Sequence, residues 1–155
     1  MSFGSLSVKG RALRYLAQRE HSRFELERKL ARYVEDCPEA SAQAQIAAAL
    51  DELAAKGLLS EARTAESVLR SQGQRYGSRR LKQTLQSKGL APELVSATLH
   101  EARGTELERA REVWRRRFGE IAPDAAARSK QMRFLAGRGF DGDVIRKVVK
   151  DVDPD

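Results

Sequence analysis

The chain has 155 residues with 41% apolar and 33% charged residues, 6% aromatic, and a formal net charge of +7. That is long enough for one domain or a short array of smaller units, and the few aromatics favour small separate cores. The single cysteine, Cys37, excludes an internal disulfide and points to a reducing compartment, and no stretch approaches the roughly 18 apolar residues of a membrane span.

Taken in order, the N-terminus lacks the apolar core of a signal peptide, which makes a cytoplasmic location the expectation. A first helix begins near Val8, with Leu13, Leu16 and Ala17 on its inner face and Tyr15 beside them. Ser22 and Glu25 form a capping-box signature opening a second helix, on which Leu26, Leu30, Tyr33 and Val34 recur at helical spacing. Asp36, Cys37 and Pro38 break that pattern, because proline disfavours helix at the preceding residue. A third helix from Ser41 to Lys56 buries Ile46, Leu50 and Leu53 and stops at Gly57-Leu58. Ser60 caps a fourth, with Ala62, Ala65, Val68 and Leu69 as its stripe, and a loop between Gly73 and Gly77 carries Arg75 and Tyr76.

The next stretch, Arg75 to Leu99, organises the rest. Ser78 caps a helix bearing Leu81 and Leu85, Gly89 ends it, Leu90 folds back, and Pro92 opens a helix bearing Leu94, Val95, Thr98 and Leu99. Fifty residues on, the pattern returns: Leu135, Arg138, Gly139, Phe140, Val144, Ile145, Val148 and Val149 replace Leu85, Lys88, Gly89, Leu90, Leu94, Val95, Thr98 and Leu99. Between the copies, Thr105 and Glu108 read as another capping box, starting a helix with Leu107, Ala110, Trp114 and Phe118 on one face and ending at Gly119. Pro123 and Asp124 open the helix that runs through Met132 and Leu135 to Arg138. Asp141 opens the last, whose stripe extends to Val152 before an acidic, frayed tail, Asp151 to Asp155. The expected fold is all-α: nine helices as three tandem three-helix repeats, 8–58, 60–103 and 105–152, in an elongated, solenoid-like array. The first repeat carries six extra residues around Val34–Ser41, since Leu30 to Ile46 is sixteen steps and Leu85 to Val95 ten.

No catalytic constellation is present: no phosphate loop, no nucleophile elbow and no His/Glu pair at zinc-binding spacing. Glu25 and Glu108 read as caps. His21 and His100 read as solvated or helix-end residues without metal-ligand spacing, and no cofactor is expected. The cations say more. No acid lies between Glu66 and Glu93, a window holding Arg70, Arg75, Arg79, Arg80, Lys82 and Lys88. A second cluster is Arg115, Arg116 and Arg117. Uncompensated cations repel, so the window implies either an anionic counterpart or acids brought near by folding, and Arg115–Arg117 also suits a helix C-terminus. Tyr76 is a base-stacking platform or a loop tyrosine packed on its own domain.

The segments LRYLAQREHSRFELERKL, ALDELAAKGLLS, RYGSRRLKQTLQSKGL and FLAGRGFDGDVIRKVV, in this order, resemble the RecX regulatory proteins of bacteria. The resemblance runs from Ala12 to Val149 and includes Arg19, Ser22, Glu25 and Leu26 as an R-x-x-S-x-x-E-L motif. After Gly57-Leu58-Leu59, Ser60 stands where the family has a first acid or amide and Thr64 where it has an aromatic, a departure that bears on how the fourth helix packs on the first repeat. The resemblance implies a modulator of the RecA recombinase that binds in the helical groove of the RecA–DNA filament and restrains its ATP hydrolysis, strand exchange and co-protease activity. Arg70, Arg75, Arg79, Arg80, Lys82, Lys88 and Arg115–Arg117 are the residues expected to face the filament or its single- or double-stranded DNA. The alternative from the residues alone is a stand-alone DNA-binding protein built of helix–turn–helix units. No membrane contact is expected, and the absence of a leftover apolar stripe suggests a monomer.

Overall fold

A computed structural model describes residues 6–151, the last two by their backbone alone. Val152 and the remainder of the acidic tail therefore lie outside the described residues. Eight helices are present among them: α1 (Val8–Gln18), α2 (Arg23–Leu30), α3 (Ala42–Ala55), α4 (Glu61–Gln72), α5 (Ser78–Ser87), α6 (Pro92–Arg117), α7 (Ala125–Gly137) and α8 (Gly142–Asp151). The fold is all-α. Its residues group into two compact units, one ending at Ser67 and including Lys88–Leu90, the other formed by Val68–Ser87 and the chain from Ala91 onward.

The caps at Ser22, Ser41 and Asp124 form as their chemistry dictates, each side chain accepting from the backbone N–H three residues on. The Ser60 hydroxyl likewise accepts from Arg63 N at 3.2 Å. Several boundaries differ from expectation. Thr105 and Glu108 start no helix, because α6 runs unbroken for 26 residues. Its buried positions Val95, Thr98, Leu99, Ala102, Glu106, Ala110 and Trp114 keep three- and four-residue spacing through the apparent break, and this continuous buried face outweighs the roughly 1 kcal/mol that Gly104 costs a helix interior. Thr105 instead bonds within the helix, its hydroxyl donating to Ala102 O and accepting from Arg109 Nε. Ser78 does not cap α5 either. It is buried as the first residue of that helix, and its hydroxyl donates to Glu106.

In the first unit, Ala12, Leu26, Leu30, Ile46, Leu50, Leu53 and Leu59 form the core, with Val8, Tyr15, Leu16 and Val34 against it. The inner face of α1 is thus Val8, Ala12, Tyr15 and Leu16, whereas Leu13 and Ala17 are exposed. That is one residue out of register with the predicted stripe. Tyr33 is also outside, because α2 stops at Leu30, and its ring lies under the Arg11 guanidinium. At Gly57 the residue that folds back is Leu59, while Leu58 remains exposed. On α4, Ala62 is exposed and Thr64, Ala65 and Val68 are buried. The departure at Thr64 is absorbed by hydrogen bonding: its hydroxyl lies 3.1 Å from His21 O and 3.0 Å from Ser60 O and donates to one of them.

His21 is fully buried, not solvated. Its Nδ1 faces Arg19 O at 3.0 Å and its Nε2 faces the Lys29 ammonium at 2.8 Å. A carbonyl only accepts and an ammonium only donates, which fixes the neutral Nδ1–H tautomer. Burial holds its pKa below the usual value despite the Arg19 carbonyl. His100 is exposed along α6.

The Arg19, Ser22, Glu25, Leu26 motif is a clasp. The Glu25 carboxylate accepts from Arg19 at 2.8 Å, from Ser22 N at 3.0 Å and from Lys88 Nζ at 3.0 Å. The Ser22 hydroxyl donates to Lys88 O at 2.6 Å. Burial alone would raise the Glu25 pKa, but these donors outweigh it and hold the group at about 2, against an ordinary 4.5. The unfolded chain then binds the extra proton between those values. Stability contributed by the clasp is complete above pH 4.5 and disappears as pH falls towards 2, by about 3 kcal/mol. Urea unfolding followed from pH 6 to about 2 is expected to show this loss in the native sequence and a much shallower one in Glu25→Gln. Equal acid slopes would refute it.

One core cluster of the second unit is Ala110, Trp114, Leu135, Phe140, Ile145, Val148 and Val149, with Leu107, Val113, Phe118, Met132, Phe134 and Val144 packed on it; Leu81, Leu85, Val95 and Leu99 are also buried in this unit. Gly89 and Gly139 both adopt positive φ, +68° and +86°, as left-handed helix ends require, and Leu90 and Phe140 are buried behind them. Each glycine turn also receives the start of an earlier helix. Ser22 and Phe24 meet the Lys88–Gly89 turn, and a Cβ on Gly89 would stand 2.6 Å from Phe24 Cβ. Gly77 N donates to Arg138 O and Arg79 N to Gly139 O, and a Cβ on Gly139 would stand 2.5 Å from Arg80 Cβ. The repeat at an offset of fifty therefore encodes a docking turn as well as a helix stop.

Candidate functional site

The site is assembled in the second unit by α6. Glu106 on this helix is 1% exposed, and its carboxylate accepts from Ser78 N at 3.0 Å, Ser78 Oγ at 2.8 Å and Asp141 N at 3.2 Å. It supplies the acceptor that the starts of α5 and α8 need. One turn on, Arg109 donates to Gly73 O at 2.6 Å, Tyr76 O at 2.8 Å and Ala102 O at 2.7 Å. Burial lowers its pKa while Glu106 opposes the shift, and the guanidinium stays charged. Together these side chains fix the loop that presents Arg75 and Tyr76.

Beside that loop lies a groove of about 240 Å³ lined by Gln74, Arg75, Val113, Arg116, Arg117 and Arg138. Three segments contribute guanidinium groups: the loop before α5, the last turn of α6 and the C-cap of α7. The arginines lean on aromatic rings. Arg75, Arg80 and Arg138 lie 5.4, 4.6 and 5.6 Å from the centre of Tyr76. Arg117 and Arg138 lie 5.5 and 5.2 Å from that of Phe134, and Arg117 also lies over Phe118. Among the described residues no carboxylate forms an ion pair with Arg75, Arg80, Arg117 or Arg138, whereas Arg115 and Arg116 share Glu112 at 2.7 and 3.2 Å.

Of the residues singled out in the sequence, the fold brings Arg75, Arg116 and Arg117 to one groove and stacks Arg80 on the tyrosine at its edge. Arg79 is exposed on α5 with a long 3.5 Å contact to Asp141. Lys82 and Arg70 are exposed on α5 and α4, outside the groove lining. Lys88 belongs to the first unit, where its ion pair with Glu25 leaves its side chain 16% exposed; it is a structural cation. Tyr76 is half-buried and covered by arginines. Arg138 was legible only as a helix-end cation, although a second acid-free window, Ala125 to Phe140, marks it. Among the described residues, no helix is long and apolar enough to cross a membrane.

Three family models match in succession: residues 9–40 match RecX, first three-helix domain; 60–99 match RecX, second three-helix domain; and 105–149 match RecX, third three-helix domain. The last two meet inside α6, so one long helix serves both. The chain is 52% identical over 145 residues to the regulatory protein RecX of Leptothrix cholodnii, covering 94% of this chain and 88% of that protein. It is 43% identical to that of Herminiimonas arsenicoxydans, covering 94% and 92%. The fold is similar to the crystal structure of RecX from Lactobacillus salivarius, with a TM-score of 0.77, 20% identity and 94% of each chain covered. The three-helix units, their order and these relatives agree: the chain belongs to the RecX family of regulatory proteins.

Proposed function

We propose that this protein binds the RecA–DNA filament within its helical groove and restrains RecA's ATP hydrolysis, strand exchange and co-protease activity. It works in the bacterial cytoplasm, as a monomer, and carries out no covalent chemistry. Its three repeats, 8–58, 60–103 and 105–152, present their cations to adjacent parts of the filament. Membership of the RecX family supports the partner, and the arginine groove of the second unit is the observation that carries the reading. Clustered guanidinium groups without carboxylate partners repel one another, and a phosphate-bearing polymer relieves that repulsion.

The test is a variant with Arg75, Arg117 and Arg138 all replaced by Ala, measured against RecA's DNA-dependent ATPase. Removing three charge-assisted interactions is expected to lower inhibitory potency at least ~30-fold and to abolish capture on RecA filaments in a pull-down. A companion variant, Arg79, Arg80 and Lys82 to Ala, is expected to lose less, because only Arg80 borders the groove. Unchanged inhibition by the first variant would remove the groove from the function. Tight, salt-dependent binding to bare DNA without preference for the filament would favour the stand-alone DNA-binding class instead.

A further inference from the structure

A stacking platform for a nucleic-acid base needs an aromatic ring with an open face. Tyr76, the aromatic residue at the groove's loop, has three guanidinium groups within 5.6 Å of its centre, and Phe134 has two within 5.5 Å. Arg138 is shared between the two rings and Arg117 between Phe134 and Phe118. The protein's own cations therefore lie over both rings. Such stacks restrict long side chains that would otherwise lose rotamer freedom on binding, and they leave the in-plane N–H donors of each guanidinium for oxygen ligands. The groove holds Arg75, Arg117 and Arg138, none in an ion pair among the described residues, beside one partly neutralised arginine, Arg116. Acceptors matched to such planar forks are phosphate oxygens, whatever bases they carry.

We infer that this groove grips the phosphodiester backbone of a nucleic acid without stacking on its bases, and that Tyr76 and Phe134 are positioning residues that rack the arginines. The inference rests on the filament-binding reading above and adds which component of the filament meets the groove: the strand, through its phosphates. Base identity is not read here.

The experiment uses the full chain and three fluorescent single strands of equal length: an ordinary oligonucleotide, an abasic oligonucleotide, and a methylphosphonate oligonucleotide with an uncharged backbone. The abasic strand is expected to bind within ~3-fold of the ordinary one, where stacking on even one base would contribute roughly five- to a hundredfold. The methylphosphonate strand should not bind. Arg138→Ala should weaken ordinary and abasic strands by the same factor and reduce the salt slope by about 0.7 for each phosphate it no longer neutralises. Tyr76→Leu should weaken both strands equally as well, because it acts through the arginines, and Arg138→Lys should recover only part of the affinity since it keeps charge but not the planar fork. Equal thermal stability of the variants shows that folding is intact.

An abasic strand bound about 5-fold worse or more, or a Tyr76→Leu effect confined to the ordinary strand, would overturn the inference in favour of base stacking. Unchanged strand binding by Arg138→Ala combined with abolished ATPase inhibition would also overturn it, placing protein at the groove, yet would leave the filament-binding function standing. Backbone-specific binding with unchanged ATPase inhibition by the variant would do the reverse.

Discussion

Gly77→Ala is expected to destabilise this protein by about 4 kcal/mol, a large part of the roughly 5–15 kcal/mol that holds a typical domain folded. A Cβ there would lie 2.3 Å from Phe140 Cα, 2.5 Å from Gly139 O and 2.5 Å from Phe140 N. These are backbone atoms, so no rotamer change makes room. The start of α5 would have to withdraw from the 138–140 turn and lengthen the bonds from Gly77 N to Arg138 O and Arg79 N to Gly139 O, 2.9 and 3.0 Å in the native fold. Overpacking of this kind costs about 1–3 kcal/mol, and each broken backbone bond adds roughly 1 kcal/mol. The control is the same chemical change at Gly104, which lies inside α6 with nothing within 4 Å of its would-be Cβ. There Ala should stabilise by about 0.5–1 kcal/mol. Urea unfolding of both variants decides it. A Gly77→Ala protein within about 1 kcal/mol of the native sequence would show that the turn yields more easily than this geometry allows.

The contrast between these glycines marks the limit of what the sequence could say. Local grammar was legible: Ser22, Ser41, Ser60 and Asp124 announced their helices, and the offset of fifty exposed Gly89 and Gly139 as equivalent turns. What failed involved groups distant in sequence. Glu106 was hidden because a buried carboxylate interrupts the apolar stripe of α6, so the stripe seemed to end near Gly104 and a new helix to begin at Thr105. On α1, the spacing put Leu13 and Ala17 inside, where the structure puts Ala12. Only the packing of Ala12 with α2 and α3 residues such as Leu26 and Leu50 chooses the face. For the candidate site, charge was readable and compensation was not. Lys88 finds Glu25 across 63 residues, and Arg115 and Arg116 find Glu112 within one turn, whereas Arg75, Arg117 and Arg138 converge from three segments. Convergence of like charge is a tertiary property, and a one-dimensional count of cations gives all of them equal weight.

Glu106→Ala is expected to cost about 4–5 kcal/mol, comparable to the effect at Gly77 but by desolvation instead of crowding. Truncation leaves two backbone donors, Ser78 N and Asp141 N, and the Ser78 hydroxyl without the acceptor they share, in a site only 1% exposed at Glu106. Each buried donor left unsatisfied costs about 1–3 kcal/mol, and the two N–H groups also carry the partial positive charge of helix starts, which a carboxylate offsets. Glu106→Gln keeps one oxygen for the backbone donors, and the Ser78 hydroxyl can turn to accept from the new amide, so its cost should be nearer ~1–2 kcal/mol. The two variants should also differ in where they loosen. Hydrogen exchange at the Ser78 and Asp141 amides should speed up strongly in Ala and modestly in Gln, while α3 of the first unit keeps its protection. Because Ser78 begins the helix that carries Arg79 and Arg80, a loosened start also shifts Arg80 off Tyr76, and the Ala variant should bind phosphate-bearing strands more weakly even at temperatures where it remains folded. Equal stability of the Ala and Gln variants, with unchanged exchange at both amides, would mean that Glu106 fills space and does not join α5 to α8.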